Sequence, residues 1–127
     1  MLDTSAYSEL VRGNPDALAA VRSARSVALS SVVLGELLAG FRGGTREEMN
    51  RDALARFVAR PSVRVLPVTA RTAEHYAHLW NHARGMGRPL PANDLWIAAS
   101  ALETGRTLVT ADAHFAVLEL IPVALLT

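Results

Sequence analysis

The chain has 127 residues, half of them hydrophobic, so it is long enough to bury the core of one domain and its composition does not resemble that of a disordered protein. It has no cysteine, which excludes disulfide bonds and thiolate zinc sites, and no apolar run reaches the roughly 18–20 residues that span a bilayer. The net charge is +1, and all thirteen basic residues are arginine, which excludes any mechanism that needs a lysine.

Short apolar runs alternate with amphipathic stretches along the whole chain. No secretory signal and no repeat or linker is visible, so we expect a single cytoplasmic domain over residues 1–127. In chain order the pattern predicts strand 1–3, helix 15–24, strand 26–30, helix 31–41, helix 46–59, strand 63–67, helix 70–84, helix 94–103, strand 107–110, a helical turn near residue 115 and strand 122–126.

Several helix boundaries carry recognisable signals. Thr45 followed by Glu48 has the spacing of a capping box, and Thr69 is a suitable N-cap for the long helix. We expect Asn93 to cap the helix that begins at residue 94 and Gly105 to end it. Strands separated by helices indicate an α/β fold with a parallel sheet and helices on both of its faces.

Four acidic residues lie within strongly apolar sequence: Asp3, Glu36, Asp94 and Asp112. Removing a carboxylate from water costs several kcal/mol unless a partner compensates for the lost hydration. Asp3 and Asp112 follow strands, and ligand sites of parallel sheets form at the carboxyl ends of strands. We therefore expect the four side chains to meet at one edge of the sheet and to share a divalent cation.

Each acid also has a purely structural interpretation. Asp3 and Asp112 can cap the helices that follow them, and Asp94 suits the first turn of a helix, where the macrodipole favours an acid. Glu36 can form a salt bridge to an arginine. These interpretations stay open, because a carboxylate can cap a helix and still bind a metal.

Polar residues near these acids are candidates for a supporting role. Four of them can orient the carboxylates or a metal-bound water: Thr4, Ser5, Asn93 and Thr110. Three others are candidates for substrate contacts: Arg84, Arg88 and His114. The alternative is that the first group caps helices and the second is only exposed to solvent.

Clustered carboxylates suit one class of chemistry. Oxygen ligands prefer Mg²⁺ or Mn²⁺, and such an ion activates water and stabilises charge on a phosphoryl oxygen. No Ser-His-Asp or Cys-His arrangement and no glycine-rich phosphate loop is visible. Hydrolysis of a phosphodiester by an activated water is the best chemical fit.

The chain resembles the PIN-domain ribonucleases and, among them, the VapC-type toxins of toxin–antitoxin pairs. The resemblance covers essentially the whole chain and rests on four motifs in order, each weak alone. They are Leu2-Asp3-Thr4-Ser5, Ser31-Val-Val-Leu-Gly-Glu36-Leu, Pro91-Ala-Asn-Asp94-Leu-Trp-Ile-Ala-Ala and Leu108-Val-Thr110-Ala-Asp112-Ala-His114-Phe115.

This resemblance implies an α/β/α sandwich around a central parallel sheet of four to five strands. It implies a Mg²⁺- or Mn²⁺-dependent endoribonuclease that cleaves RNA, often tRNA or ribosomal RNA, and thereby inhibits translation. Inhibition by a cognate VapB-like antitoxin and homodimerisation are further implications, with no membrane partner. The family's acidic cluster corresponds here to Asp3, Glu36, Asp94 and Asp112.

The apolar helices over residues 32–41 and 54–58 also favour a homodimer, because their apolar surface exceeds what one sheet face can cover. Three other protein classes are alternatives to the nuclease. A receiver domain needs a lysine, which this chain lacks, and a haloacid-dehalogenase-like phosphatase needs an acid where this chain has Ser5. An inactive nuclease is disfavoured because all four acids are present, and a metal-dependent RNA cleavage assay separates all three from the nuclease.

Overall fold

The computed structural model describes residues 1–127 and contains six α-helices, a 3-10 helix and four strands. The helices are α1 (Thr4–Val11), α2 (Pro15–Ser23), α3 (Ser31–Arg42), α4 (Glu47–Val58), α5 (Ala70–Gly85), α6 (Ala92–Thr104) and the 3-10 helix Ala113–Leu118. The strands are β1 (Val27–Ser30), β2 (Val63–Leu66), β3 (Leu108–Thr110) and β4 (Val123–Leu125).

The strands form two parallel pairs that the start of the chain joins. Strand β1 pairs with β2 and β3 pairs with β4. Leu2 forms a parallel bridge with Val109, and its amide donates to the carbonyl of Ala28 at 2.9 Å. The order is therefore β2, β1, residues 1–3, β3, β4, which confirms the predicted parallel α/β architecture. The predicted first strand is reduced to one bridge because α1 begins at Thr4.

Two predicted boundary signals are correct. Thr69 caps α5 in a reciprocal arrangement, in which the backbone amide of Thr69 donates to the Thr72 hydroxyl at 3.0 Å. Gly105 follows α6 with a φ of 65°, the left-handed conformation that glycine adopts without strain.

Two other signals are wrong. Thr45 does not cap α4, which begins after Arg46 without a side-chain cap and instead places two glutamates in its first turn, where the helix dipole favours them. Asn93 does not cap α6, because this helix begins two residues earlier than predicted, after Pro91. The Asn93 side chain is thereby free to point elsewhere.

The core lies between the sheet and α6, a helix that is buried on most of its circumference. Its small residues Ala98, Ala99 and Ala101 are fully buried and allow close packing. Helix α5 runs beside α6, and Tyr76 of α5 stacks on Trp96 of α6 with ring centroids 4.1 Å apart. No helix is long and apolar enough to cross a membrane.

Helix α3 packs most of its apolar surface within the chain. Val33 and Leu37 are buried, and four further residues are partly buried against the core: Val32, Leu34, Leu38 and Phe41. A cleft of about 340 Å³ lies between α3 and α4 and is lined partly by Leu34, Leu38 and Val58. The dimer stays a prediction.

Candidate active site

Asp3 lies at the junction of the two strand pairs and is 4% exposed. Its Oδ1 accepts from the amide of Ala6 at 2.8 Å and thereby caps α1, as its structural interpretation predicted. Burial raises the pKa of this carboxyl above its usual value, the hydrogen bonds it accepts lower it, and the charge of Asp112 raises it further. Asp3 is therefore both a helix cap and a buried acid.

Two hydroxyls fix the carboxylate of Asp3. Ser5 donates to Oδ1 at 2.8 Å, and Thr110 donates to Oδ2 at 2.5 Å. The same hydroxyls accept from the loop after β3, Ser5 from the amide of Ala111 and Thr110 from the amide of Asp112, both at 2.9 Å. Ser5 and Thr110 therefore tie the first acid to the segment that carries the fourth.

Glu36 is half-buried on α3 and faces α1 and α6. Its Oε1 accepts from the hydroxyl of Thr4 at 2.6 Å, and its Oε2 accepts from Nδ2 of Asn93 at 3.4 Å. It forms no salt bridge, so its predicted structural alternative, an arginine pair, is absent. Asn93 thus links the helical glutamate to the helix start that carries Asp94.

Asp94 lies in the first turn of α6, and its carboxylate makes no hydrogen bond with any protein group. Burial raises its pKa most, followed by the negative charges of Asp112, Glu36 and Asp3, while His114 lowers it. Capping therefore does not explain this residue, whereas its place in the first turn agrees with the macrodipole interpretation. The other three acids are near enough for their charges to act on it.

Asp112 follows β3 and caps the 3-10 helix through the amide of His114, at 2.9 Å. The same oxygen contacts Nδ1 of His114 at 2.7 Å. The ring of His114 is otherwise largely exposed beside the acids. Both the predicted capping role of Asp112 and the predicted position of His114 next to it are therefore seen.

The four carboxylates provide a hard, oxygen-only donor set, which suits Mg²⁺ or Mn²⁺. As the side chains stand, no three acidic or histidine residues are close enough to ligate one ion. Mg²⁺ is commonly held through one or two carboxylates and keeps its remaining waters, so the donor set fits without a three-carboxylate cage. That all four acids bind one ion stays a prediction.

The predicted substrate contacts Arg84 and Arg88 lie at the α5–α6 connection and form no ion pair or side-chain hydrogen bond. The guanidinium of Arg84 lies over the ring of Trp80, 4.5 Å from its centroid. Sequence reasoning missed Trp80: its four-residue spacing to Arg84 indicates that the two side chains share a helix face, but not where that face lies in the fold.

Comparison with known proteins decides the family. Residues 1–119 match the family model of the PIN domain. Ribonuclease VapC5 of Mycobacterium tuberculosis is 33% identical over 121 residues, which cover 94% of this chain and 87% of that protein. The chain belongs to the PIN-domain family, in its VapC group. The predicted resemblance is confirmed, and the receiver-domain and phosphatase alternatives are set aside.

Solved structures of VapC-containing complexes agree with this assignment. A member of the VapBC family of toxin–antitoxin systems, VapBC-5 from Mycobacterium tuberculosis, has a TM-score of 0.77 at 31% identity, covering 98% of this chain and 96% of that one. VapBC2 from Rickettsia felis, bound to a DNA fragment from its promoter, has a TM-score of 0.88 at 24% identity, covering 100% and 98%. The second likeness concerns the PIN fold alone.

Proposed function

We propose that this PIN domain is a Mg²⁺- or Mn²⁺-dependent endoribonuclease and the toxin of a type II toxin–antitoxin pair. One observation carries the proposal: hydrogen bonds tie Asp3 through Thr110 to the loop of Asp112, and Glu36 through Asn93 to the start of α6, where Asp94 has no hydrogen-bond partner of its own. Like charges gathered at the carboxyl edge of a parallel sheet destabilise the fold, and a bound cation removes that penalty, so such a cluster indicates a functional site.

The carboxylates of the site would bind a cation, and the neighbouring hydroxyl and amide groups orient those carboxylates. Asp94 offers a free carboxylate, and Asp3 and Asp112 offer carboxylates whose orientation is fixed by hydroxyls and amides. When bound, a divalent cation supplies an activated water and neutralises charge on the phosphoryl oxygens. Ser5 and Thr110 keep Asp3 from turning away, and Thr4 and Asn93 do the same for Glu36.

The substrate class is inferred from the relatives. The protein that is 33% identical is a ribonuclease by name, and a second relative, Ribonuclease VapC2 of Rickettsia felis, is 30% identical over 114 residues. We infer that this chain cleaves RNA, with tRNA or ribosomal RNA as the target class, and that cleavage inhibits translation in the cytoplasm.

The partner is inferred in the same way. The solved VapBC-5 structure is described as part of a toxin–antitoxin system. We infer that a VapB-like antitoxin neutralises this chain and that the chain forms a homodimer. Sedimentation of the purified chain at micromolar concentration tests the dimer, and a strictly monomeric mass contradicts it.

A cleavage assay with structured RNA tests the activity. We expect cleavage with Mg²⁺ or Mn²⁺, none with EDTA, and restoration when the ion is added back. Asp94→Asn should lose at least a hundred-fold in rate, on the order of the loss when one transition-state stabilising group is removed. The matched control is Asp52→Asn, the same change at an exposed acid of α4, which should cleave like the wild type.

Circular dichroism then establishes that the Asp94→Asn protein is folded. Cleavage that persists in EDTA, or an Asp94→Asn protein as active as Asp52→Asn, contradicts the proposal.

A further inference from the structure

The acidic rim, which consists of Asp3, Glu36, Asp94 and Asp112, cannot by itself hold RNA. Its four carboxylates repel a phosphate backbone, and a bound divalent cation offsets only part of that charge. Affinity for a polyanion must therefore come from cationic groups beside the rim. Such groups are useful only if their own charge is not already neutralised by acids of the chain.

One segment beside the rim meets this condition. Residues 75–93 contain no aspartate or glutamate. Within the segment, the side chains of Arg84 and Arg88, like most arginines of the chain, form no ion pair, and the absence of any acid between residues 75 and 93 is what sets the segment apart. The end of α5 and the loop that follows it therefore keep their positive charge.

Two contacts show which residues of α5 lie beside which turn of α6. Helices α5 and α6 are antiparallel, as the contact of Thr72 with Glu103 (2.6 Å) and the stacking of Tyr76 on Trp96 show. Trp80 is four residues beyond Tyr76, about 6 Å further along the helix toward the start of α6. It therefore lies at about the level of the first turn of α6, on the side of Trp96, whereas Asp94 projects from nearly the opposite side of the same turn.

The cationic groups are held in place. The guanidinium of Arg84 stacks on Trp80, a contact that leaves its N–H edges free to bind phosphate oxygens. The backbone of Arg88 folds back on α5, since its amide donates to the carbonyl of Ala83 at 3.0 Å after Gly87 takes a left-handed conformation with a φ of 68°. Trp80 remains 38% exposed, so part of its indole ring is open to solvent.

From this arrangement we infer that Trp80, Arg84 and Arg88 form an RNA-binding surface, the α5 platform. It holds unpaired nucleotides of the substrate at the level of the α6 start: a base stacks on the part of the Trp80 indole that Arg84 leaves open, and the two arginines contact phosphates. The inference rests on the proposed ribonuclease function and adds that the substrate segment is single-stranded, because only an unstacked base can reach an exposed indole ring.

Binding is measured without cleavage, so that the two hypotheses can fail separately. Fluorescence anisotropy in EDTA compares a labelled single-stranded RNA with a blunt duplex of the same sequence. Trp80→Ala should weaken single-strand binding about ten-fold, and Trp80→Phe should restore most of it, because phenylalanine keeps a stacking face. Duplex binding should change little for either variant.

The arginines are tested by salt dependence. Arg84→Ala and Arg88→Ala should each lower the slope of log K against log salt by about 0.7, the value for one phosphate contact on a single strand. The matched control is Arg71→Ala, an unpaired arginine on the first turn of the same helix, beside the far end of α6. Its affinity and slope should match the wild type.

Cleavage with Mg²⁺ then separates this inference from the proposed function. Trp80→Ala should raise KM and leave kcat unchanged, whereas Asp94→Asn should lose kcat and keep RNA binding. A wild-type chain that binds single strands through the platform but never cleaves them refutes the proposed function alone.

Three results overturn the platform itself: equal single-strand binding by Trp80→Ala and the wild type, equal weakening of single-strand and duplex binding, or salt slopes of Arg84→Ala and Arg71→Ala that do not differ. A Trp80→Ala change in sedimentation mass with unchanged RNA binding also overturns it, because the surface is then a subunit interface.

Discussion

Replacing Thr110 by valine tests whether the Asp3 network stabilises the fold. Thr110 is fully buried, and its hydroxyl donates to Asp3 Oδ2 at 2.5 Å while accepting from the amide of Asp112 at 2.9 Å. Valine has nearly the same volume, so no cavity forms and only the hydrogen bonds are lost. A hydrogen bond to a charged group contributes about 1.5–3 kcal/mol, and the loss of the second bond adds to this.

We therefore expect Thr110→Val to lower the free energy of unfolding by about 2–4 kcal/mol, which lowers the melting temperature by about 6–15 °C in a domain of this size. The pKa of Asp3 is already raised in the fold, so its ionised form destabilises the folded state, and losing the Thr110 bond raises this pKa further. The penalty should therefore be largest at neutral pH and should shrink as the pH falls through the pKa of Asp3.

Urea denaturation at several pH values measures this effect in metal-free buffer. The control is Thr107→Val, the same substitution at an exposed residue just before β3 whose hydroxyl makes no hydrogen bond; it should change stability by less than about 0.5 kcal/mol. A Thr110→Val protein as stable as Thr107→Val at neutral pH refutes the reasoning, as does a penalty that does not depend on pH.

Two further stability predictions follow from the site and the helix ends. Burial and like charges raise the pKa of Asp94, so its ionised form destabilises the folded state once the pH rises through that pKa. Asp94→Asn should accordingly raise the free energy of unfolding of the metal-free protein at pH 7, and with it the melting temperature. The gain should be at most about 1 kcal/mol, because the group is partly solvated, and it should vanish below about pH 3. Gly105→Ala forces a left-handed conformation on a residue with a side chain and should destabilise by about 1–2 kcal/mol, whereas Gly40→Ala, in the interior of α3 with open space at its Cβ, should stabilise by about 0.5–1 kcal/mol. Calorimetry of both glycine variants checks the pair, and equal melting temperatures contradict the conformational argument.

Much of this fold follows from local sequence because its signals are local. Apolar runs of strand length and the cap at Thr69 depend on neighbouring residues only, and the structure agrees with them. The alternation of strands and helices also predicted the parallel pairing, and parallel pairing places Asp3 and Asp112 at one edge of the sheet. The motif order was enough to indicate the PIN family.

What the sequence could not provide depends on contacts between distant residues. Asn93 has the composition of a cap, and only the helix start at Pro91 and the position of Glu36 on another helix turn it toward that glutamate. The position of Trp80 beside the start of α6 depends on how α5 packs against α6, which no pattern within α5 reveals. The separations among the four carboxylates likewise depend on packing, and periodicity carries no information about them.

The bridge between Leu2 and Val109 also determines when, during synthesis, the four acids can come together at the edge of the sheet. Leu2 pairs with Val109, and Asp3 accepts from Thr110 across 107 positions of sequence. Contacts of such long range form only after a large loop has closed, and they are absent while the chain is still being synthesised. A nascent chain on the ribosome therefore carries Asp3 without the Thr110 hydroxyl that orients it, so the proposed nuclease centre forms only after nearly all of the polypeptide has emerged.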